Sequence, residues 1–209
     1  MFELYTVKLM DASMKMTIWR GVTWVLALGV ALVSLRFLAI PVELSMPHMA
    51  HYLEGANLAL YGHIIGGPVA LALIPFQFWT GLRRRAPRVH RTLGYITFTA
   101  IVIGGLSALA LLPKFLGTPM AALGFATLGT LWIGSAVRAV LAARARDFET
   151  HRRWMLRTAA FCFAAVTLRL IMPFLMAGGM TITETYSVTA WASWIPNLIL
   201  VEWWLRRRG

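Results

Sequence analysis

Long stretches without a charged residue dominate the hydrophobic pattern of this chain. Residues 55–82, 92–113 and 115–137 contain no Asp, Glu, Lys or Arg, and each exceeds the roughly 20 residues that a membrane-spanning helix needs. Further apolar stretches contain one charge each, at Arg36, Arg169 or Glu202. The pattern therefore predicts six membrane helices, near residues 18–40, 57–80, 92–112, 119–142, 154–177 and 187–205.

The segments between these helices are short, and most contain Pro or Gly where a helix is expected to end. No linker or low-complexity segment divides the chain. We therefore expect an all-α integral membrane bundle of six transmembrane helices over residues 17–209, preceded by a cytoplasmic extension over residues 1–16. The first helix is interpreted as a retained anchor, because its apolar run is long and lacks a convincing small-x-small cleavage site.

Composition supports the membrane assignment. Hydrophobic residues make up 59% of the chain and charged residues 13%, whereas soluble domains are about half apolar and about 25% charged. The net charge of +12 would suggest a nucleic-acid partner in a soluble protein. The single cysteine, Cys162, excludes a disulfide framework.

The positions of the basic residues explain the charge without nucleic acid. All Lys and Arg except Arg36, Lys114 and Arg169 lie near the helix ends that face one side of the predicted bundle. Basic residues in short loops stay on the cytoplasmic side. Both termini are therefore predicted to be cytoplasmic, in a multi-pass protein of a bacterial inner membrane whose surroundings are membrane lipids.

Three helices place an ionisable group in the outer half of the membrane, namely Arg36, His63 and Arg169. In one interpretation the arginines reach the outer headgroups and His63 bonds a neighbouring carbonyl. In the other, the three form a shared polar pocket, covered by Glu43, Glu54, Glu184, Tyr61 or Tyr186 from the outer loops. Two arginines without a membrane carboxylate would favour an anionic guest, such as a propionate, a phosphate or a lipid headgroup. Gln77 and Asn197 are the uncharged polar residues expected to bond between helices.

Two histidines stand at the cytoplasmic starts of the third and fifth helices. His90 and His151 each precede an arginine, and the two helices are parallel in the predicted topology. Imidazoles at matching depth are suited to axial ligation of a b-type haem between facing helices. The alternative is that both rings extend the positive-inside signal and meet lipid phosphate.

A further pair of histidines is a weaker candidate for metal binding. His48 and His51 have metal-ligand spacing if their segment is helical, but loop histidines without a third fixed donor are usually solvated, and no metal site is predicted. The chain has no P-loop, no G-x-G-x-x-G, no H-E-x-x-H and no G-x-S-x-G, which removes support for a hydrolase or a nucleotide-driven pump.

Several short motifs follow one another along the chain: HIIGG from His63, IPFQF around Gln77, RAPRVHRTLG around His90, HRRWMLR from His151, TLRL around Arg169, and WIPN from Trp194 before Glu202. Taken in order, they resemble a bacterial membrane family known as domain of unknown function 2306 (DUF2306). The resemblance covers the chain from about residue 33 and implies a multi-helix membrane protein without an established activity. The chain is more distantly similar to six-helix b561-like cytochromes, which hold two haems between histidine pairs on four central helices. It departs from them because the fourth helix, over residues 120–141, contains no histidine.

Three classes of function fit these observations. The first is a haem-binding membrane redox component, with His90 and His151 as ligands and His63 as a further cofactor-binding residue. In it a quinone would exchange electrons at the outer pocket of Arg36, His63 and Arg169. The candidate residues for a buried polar pocket are Arg36, Arg169 and Gln77. The second is a transporter or receptor for a small anionic or lipid-like ligand. The third is a non-catalytic assembly subunit, for which the glycine-lined helices suffice.

Overall fold

A computed structural model describes the backbone of residues 2–207 and the side chains of residues 17–207. Arg208, and the side chains of Lys8 and Lys15, which the orientation argument uses, lie outside the described residues. Between residues 2 and 207 the chain is helical apart from turns and short connections, and contains no strand. The expected all-α class is confirmed for this part of the chain.

Ten α-helices follow one another in residues 2–207. They are α1 Phe2–Leu35, α2 Val42–Ser45, α3 Asn57–Gln77, α4 Thr80–Arg85, α5 Pro87–Leu111, α6 Pro119–Arg144, α7 Phe148–Cys162, α8 Ala164–Ala177, α9 Ile182–Ala192 and α10 Ile195–Arg206. Short 3-10 helices cover Arg36–Leu38, Pro47–Leu53 and Leu112–Lys114.

Five helical segments of the described chain are long and apolar enough to cross a membrane: Thr17–Leu38, Asn57–Gln77, Pro87–Lys114, Pro119–Arg144 and Phe148–Ala177. The last of these joins α7 and α8 across a short irregularity at Phe163. The expected sixth span corresponds to two shorter helices, α9 and α10, which are separated at Ser193 and Trp194. Pro196 stands in the first turn of α10, where its fixed φ angle suits a helix start.

Local signals explain where the helices begin. The side chains of Thr118, Asp147 and Thr181 each accept a hydrogen bond from a backbone N–H in the first turn of α6, α7 and α9. Such caps satisfy donors that have no partner within the helix. Pro87 and Pro119 occupy the first positions of α5 and α6, where the missing proline N–H has no consequence.

The starts of four helices correct the predicted boundaries. Helix α1 begins at Phe2 and not near residue 18, and α9 begins at Ile182 and not near residue 187. Helix α5 begins at Pro87 and not near residue 92, and α7 begins at Phe148 and not near residue 154. The prediction followed hydrophobicity, which marks the membrane core, whereas the helices continue into charged sequence. As a result, His90 and His151 are each the fourth residue of a helix.

The closest helix contact joins α3 and α5. A Cβ atom on Gly66 would lie 2.6 Å from the Gly104 backbone N and 2.8 Å from the Ala100 carbonyl O. Only a hydrogen in place of a side chain permits this backbone approach. The core beside it includes Leu71, Ile74 and Ile101, all buried.

The bundle has two chemically different ends. At the arginine-rich end, Trp19 and Arg20 of α1 and the ends of α3, α6 and α10 meet the starts of α5 and α7 around one cavity. At the opposite end, His48 contacts Tyr186, His51 contacts Lys114, and Thr118 contacts Ser187. These contacts join the segment between α1 and α3, the segment between α5 and α6, and the first half of α9.

Candidate functional site

A cavity of about 1630 Å³ opens at the arginine-rich end, bounded by α1, α3, α5, α6, α7 and α10. Its volume exceeds the roughly 300 to 1,000 Å³ that is usual for small-molecule sites. Apolar side chains form much of its wall, among them Phe78, Phe98, Ile101 and Met155. The cavity therefore has room for a large, mainly apolar ligand.

His90 and His151 both line this cavity, and they lie close enough to interact electrostatically. The Nδ1 atom of His151 is 2.8 Å from the carbonyl O of Ala139. Because a carbonyl oxygen can only accept, Nδ1 carries a proton, and in the neutral form of the ring the lone pair is then on Nε2. The contact joins α7 to α6 and fixes the orientation of the ring.

The ring of His90 is held differently. Its Nδ1 atom is buried and has no hydrogen-bond partner. In the described part of the chain no hydrogen bond reaches the Nε2 atom of His90 or of His151. Buried polar atoms in proteins are nearly always satisfied, so an unpartnered imidazole beside a cavity marks a place where a ligand is expected.

Gln77 adds a second unsatisfied group to the same cavity. It is the last residue of α3, its exposed fraction is 9%, and its Nε2 atom has no hydrogen-bond partner. Gly94 of α5 passes close to it, since a Cβ atom there would lie 3.2 Å from Gln77 Oε1. The buried hydroxyl groups of Thr97 and Thr158, by contrast, donate to Leu93 O and Ser135 Oγ.

Positive charge surrounds the cavity. Its wall includes Arg20, Arg83, Arg91, Arg144, Arg146 and Arg152. Glu149 also lines it, and its carboxylate lies 3.6 Å from Arg153, which is not part of the wall. The Arg152 guanidinium stands 5.2 Å from the centre of the Trp204 ring. The cavity thus combines apolar walls with a strongly cationic border, which suits a ligand that is apolar in part and anionic in part.

A smaller cavity of about 490 Å³ adjoins the first and shares Arg20, Phe78 and Leu156 with it. Asn197 borders this second space, but its amide is engaged in structure. Asn197 Nδ2, which has two N–H donors, lies 3.0 Å from the carbonyl O of Ser193, 3.3 Å from that of Ala160 and 3.0 Å from Thr167 Oγ1. The expected interhelical role of Asn197 is confirmed, whereas Gln77 makes no such bond.

The opposite end contains the other predicted polar residues. His63 Nδ1 donates to the carbonyl O of Gly104 at 3.0 Å. This is the bond to a neighbouring carbonyl that the first of the two interpretations expects. Arg169 lies within electrostatic range of His63, Arg36 and Tyr186. We call Arg36, His63, Arg169 and Tyr186 the opposite-end cluster.

The loop histidines at this end do not converge on a common point. His48 Nε2 is 3.0 Å from Tyr186 Oη, while His51 Nε2 donates to the Lys114 carbonyl O at 3.0 Å. Burial and, secondarily, the neighbouring His51 lower the pKa of His48. Among residues 17–207 no group of three or more His, Cys, Asp or Glu side chains is placed to hold a metal ion.

The structure groups the predicted site residues in a way that the sequence did not. It brings His90, His151 and Gln77 to one cavity, and places His63 with Arg36 and Arg169 at the other end. Gln77 therefore does not share a pocket with the two arginines, since it lies 14 residues, or about 21 Å, along α3 from His63. Two cavity residues, Arg20 and Phe78, were not predicted from the sequence. The only feature of the sequence that could have indicated them is their position at the predicted membrane boundary.

Comparison with known proteins gives one family. A model described as "Predicted membrane protein (DUF2306)" matches residues 60–205, a stretch that includes His63, His90, His151 and Arg169. No curated protein and no solved structure matches the chain.

Proposed function

We propose, for a chain that belongs to the DUF2306 family of membrane proteins, that the cavity at the arginine-rich end binds a b-type haem between His90 and His151. The observation that carries the proposal is the meeting of two imidazoles from separate helices in one cavity, with neither Nε2 atom bonded to another described residue. Neutral imidazole nitrogens of this kind are the usual axial ligands of b-type haem. Two protein donors suffice for this ligation.

The side chain of His151 supports the proposal through its hydrogen bond to Ala139 O. A ligating histidine usually donates its other ring N–H to a carbonyl or carboxylate, which fixes the tautomer and the direction of the lone pair. His90 has no such bond. We therefore expect His151 to be the better-oriented of the two ligands.

The rest of the cavity suits the other parts of a haem. The wall residues Phe98, Ile101 and Met155 would exclude water from a flat apolar ring, and arginines such as Arg91 and Arg152 would neutralise carboxylates at its edge. A bound haem would supply one-electron transfer. The function proposed is thus that of a membrane redox component.

The topology proposed with this function has six spans. Helices α9 and α10 together cover residues 182–206, or about 37 Å of helix at 1.5 Å per residue, which is enough to cross the roughly 30 Å core of a bilayer. The arginine-rich end then faces the cytoplasm by the positive-inside rule, in a bacterial inner membrane. The haem would lie near the cytoplasmic surface.

The absorption spectrum tests the proposal. The protein is expressed with haem supplied, purified in detergent and scanned for a Soret band in its oxidised and reduced forms. We expect a Soret band in the wild type, its loss in His90→Ala and in His151→Ala, and its retention in His48→Ala, which alters a histidine at the other end. A wild-type protein without a Soret band would refute haem binding.

A further inference from the structure

The opposite-end cluster contains two guanidinium groups that no carboxylate neutralises. In residues 17–207 neither Arg36 nor Arg169 forms an ion pair. The acidic groups expected to cover them are placed otherwise. Glu184 accepts from the backbone N–H and the hydroxyl of Thr181 in a capping box, and neither Glu43 nor Glu54 forms a salt bridge.

Each guanidinium uses little of its hydrogen-bonding capacity. Arg36 Nη1 donates to the Val33 carbonyl O at 3.2 Å, and Arg169 Nη1 donates to the Ala165 carbonyl O at 3.0 Å. Val33 belongs to α1, which Arg36 directly follows, and Ala165 belongs to α8, the helix that contains Arg169. Since a guanidinium has five N–H donors, most of the donors of both side chains remain for another partner.

The two arginines also act on each other. Arg36 begins the 3-10 helix that directly follows α1, and Arg169 lies in α8. Helices α1 and α8 pack together, and the charge of Arg36 reaches Arg169. Arg169 lies eight residues, or about 12 Å, before the end of α8, where a membrane provides little screening. Two like charges at this depth are costly without a counter-charge.

The neutral members of the cluster do not supply that counter-charge. His63 is held by its bond to the Gly104 carbonyl O, and Tyr186 is paired with His48 at 3.0 Å. The ring of Tyr186 is packed between Phe115 and Phe125, with both ring centroids 6.0 Å away. These contacts make a fixed wall beside the charged groups.

We propose that Arg36 and Arg169 together bind one phosphate group at this end of the membrane. The planar fork of a guanidinium matches the oxygen atoms of a phosphate, and the negative charge removes the repulsion between the two arginines. The phosphate belongs either to a phospholipid headgroup of the leaflet at this end or to an ion from the adjoining water. The site is separate from the cavity with His90 and His151, so it does not depend on haem.

The test uses the full chain in a maltoside detergent, which contains no phosphate. One series adds phosphatidylglycerol to the micelles, and another adds inorganic phosphate at constant ionic strength, with chloride as its control. Thermal unfolding is followed for the wild type, Arg169→Gln, Arg36→Gln and Arg88→Gln. The last variant removes an exposed arginine near the other end and corrects for general attraction of anionic lipid.

We expect a rise in wild-type Tm of about 5 °C or more once the probe exceeds its Kd a hundredfold. Arg88→Gln should keep most of the rise, and Arg169→Gln and Arg36→Gln should lose most of it. A response to phosphatidylglycerol alone identifies a headgroup, and a response to inorganic phosphate but not chloride identifies a free anion.

Equal shifts in the wild type and both cluster variants, or no shift with either probe, would overturn the proposal. Arg169→Lys covers the case in which Arg169→Gln does not fold. This variant keeps the charge but loses the planar fork, so phosphate binding predicts a reduced Tm rise. An unchanged rise would show that the fork is not used.

Discussion

The two ends of the bundle differ in which polar side chains lack a partner and in the space beside them. At the arginine-rich end, Gln77 and His90 have buried nitrogen atoms without partners beside a cavity of about 1630 Å³. At the opposite end, His63 and His48 each have a hydrogen bond to another helix. The buried hydroxyl of Thr185 has no partner there, and Arg36 and Arg169 carry charges that no described carboxylate pairs with. One end therefore has unsatisfied dipoles facing a large space, and the other has unsatisfied charge beside a packed wall.

The difference teaches which kind of ligand each end is suited to. Unpartnered imidazole and carboxamide groups in a roomy, apolar cavity suit a large ligand that supplies coordination or hydrogen bonds. Two unpaired guanidinium groups beside fixed aromatic side chains suit a compact anion. The total charge of the chain does not reveal this difference. Most of the arginines lie at the cavity end, where the proposed ligand is selected mainly by unpartnered imidazole and carboxamide groups and not by charge.

The packing of the opposite half should be the most sensitive to substitution. Gly66→Ala would place Cβ 2.6 Å from the Gly104 backbone N, and backbone cannot move aside as a flexible side chain can. We expect a loss of stability of about 1 to 3 kcal/mol, measured by thermal unfolding in detergent. Gly67→Ala is the matched control, because nothing lies within 4 Å of its Cβ position. Equal effects of the two substitutions would contradict the close α3–α5 contact.

The ion pairs at the arginine-rich end should separate into two classes. Arg157 contacts Glu202 through two bonds of 2.6 and 3.0 Å. The side chains are 23% and 33% exposed, and the pair joins α7 to α10. Arg157→Met should lower stability by about 1 to 2 kcal/mol.

The exposed pair Arg153 and Glu149, at 3.6 Å, supplies the comparison. Arg153→Met should cost about 0.3 kcal/mol, as is usual for surface pairs within one helix. Chemical or thermal unfolding of both variants checks the contrast. If Arg153→Met were the more harmful, the distinction between the partly buried pair and the exposed pair would be wrong.

The amides of Gln77 and Asn197 offer a sharper comparison. Asn197→Leu removes an amide nitrogen that has three acceptors within hydrogen-bond distance and should destabilise the protein by about 1 kcal/mol. Gln77→Leu removes an amide nitrogen that has no partner, so the ligand-free protein should be unaffected or slightly stabilised. Unfolding of both variants without added haem provides the measurement. A large loss of stability in Gln77→Leu would show that this amide is structural.

The smallest effect concerns the cap that starts α7, the helix of His151. The backbone N–H and side chain of Thr150 lower the pKa of Asp147, so the carboxylate stabilises the folded state above its unfolded pKa. This contribution disappears as the pH falls through the lowered, folded-state pKa. Asp147→Ala should therefore reduce Tm slightly at neutral pH and leave it unchanged at the lowest pH.

Asp147→Asn serves as the control for this cap, since asparagine caps a helix without ionising. Its Tm should lie close to that of the wild type at neutral pH and should not show the acid-dependent loss. An equal loss on acidification in Asp147→Asn would assign the pH dependence to another group.

Much of the architecture follows from the sequence. Uncharged stretches longer than about 20 residues require membrane helices, and the five long spans of the described chain fall where the pattern predicts them. Hydrophobicity did not locate the starts of α5 and α7, because a helix continues past the membrane core whenever a cap such as Asp147 begins it earlier. The interruption at Ser193 and Trp194 was likewise invisible, since both residues are compatible with an apolar span.

The sequence by itself determined the all-helical class, the asymmetric distribution of arginines, and the presence of Arg36, His63 and Arg169 within apolar segments. Only the tertiary structure decided which of these groups meet. A period of 3.6 residues fixes the depth of a side chain along its helix, but its partners depend on how the helices rotate and pack. For that reason only the structure shows that one cavity is lined by His90, His151 and Gln77. It also shows that Arg169 lies near Arg36, as one interpretation of the sequence expected, and not near Gln77.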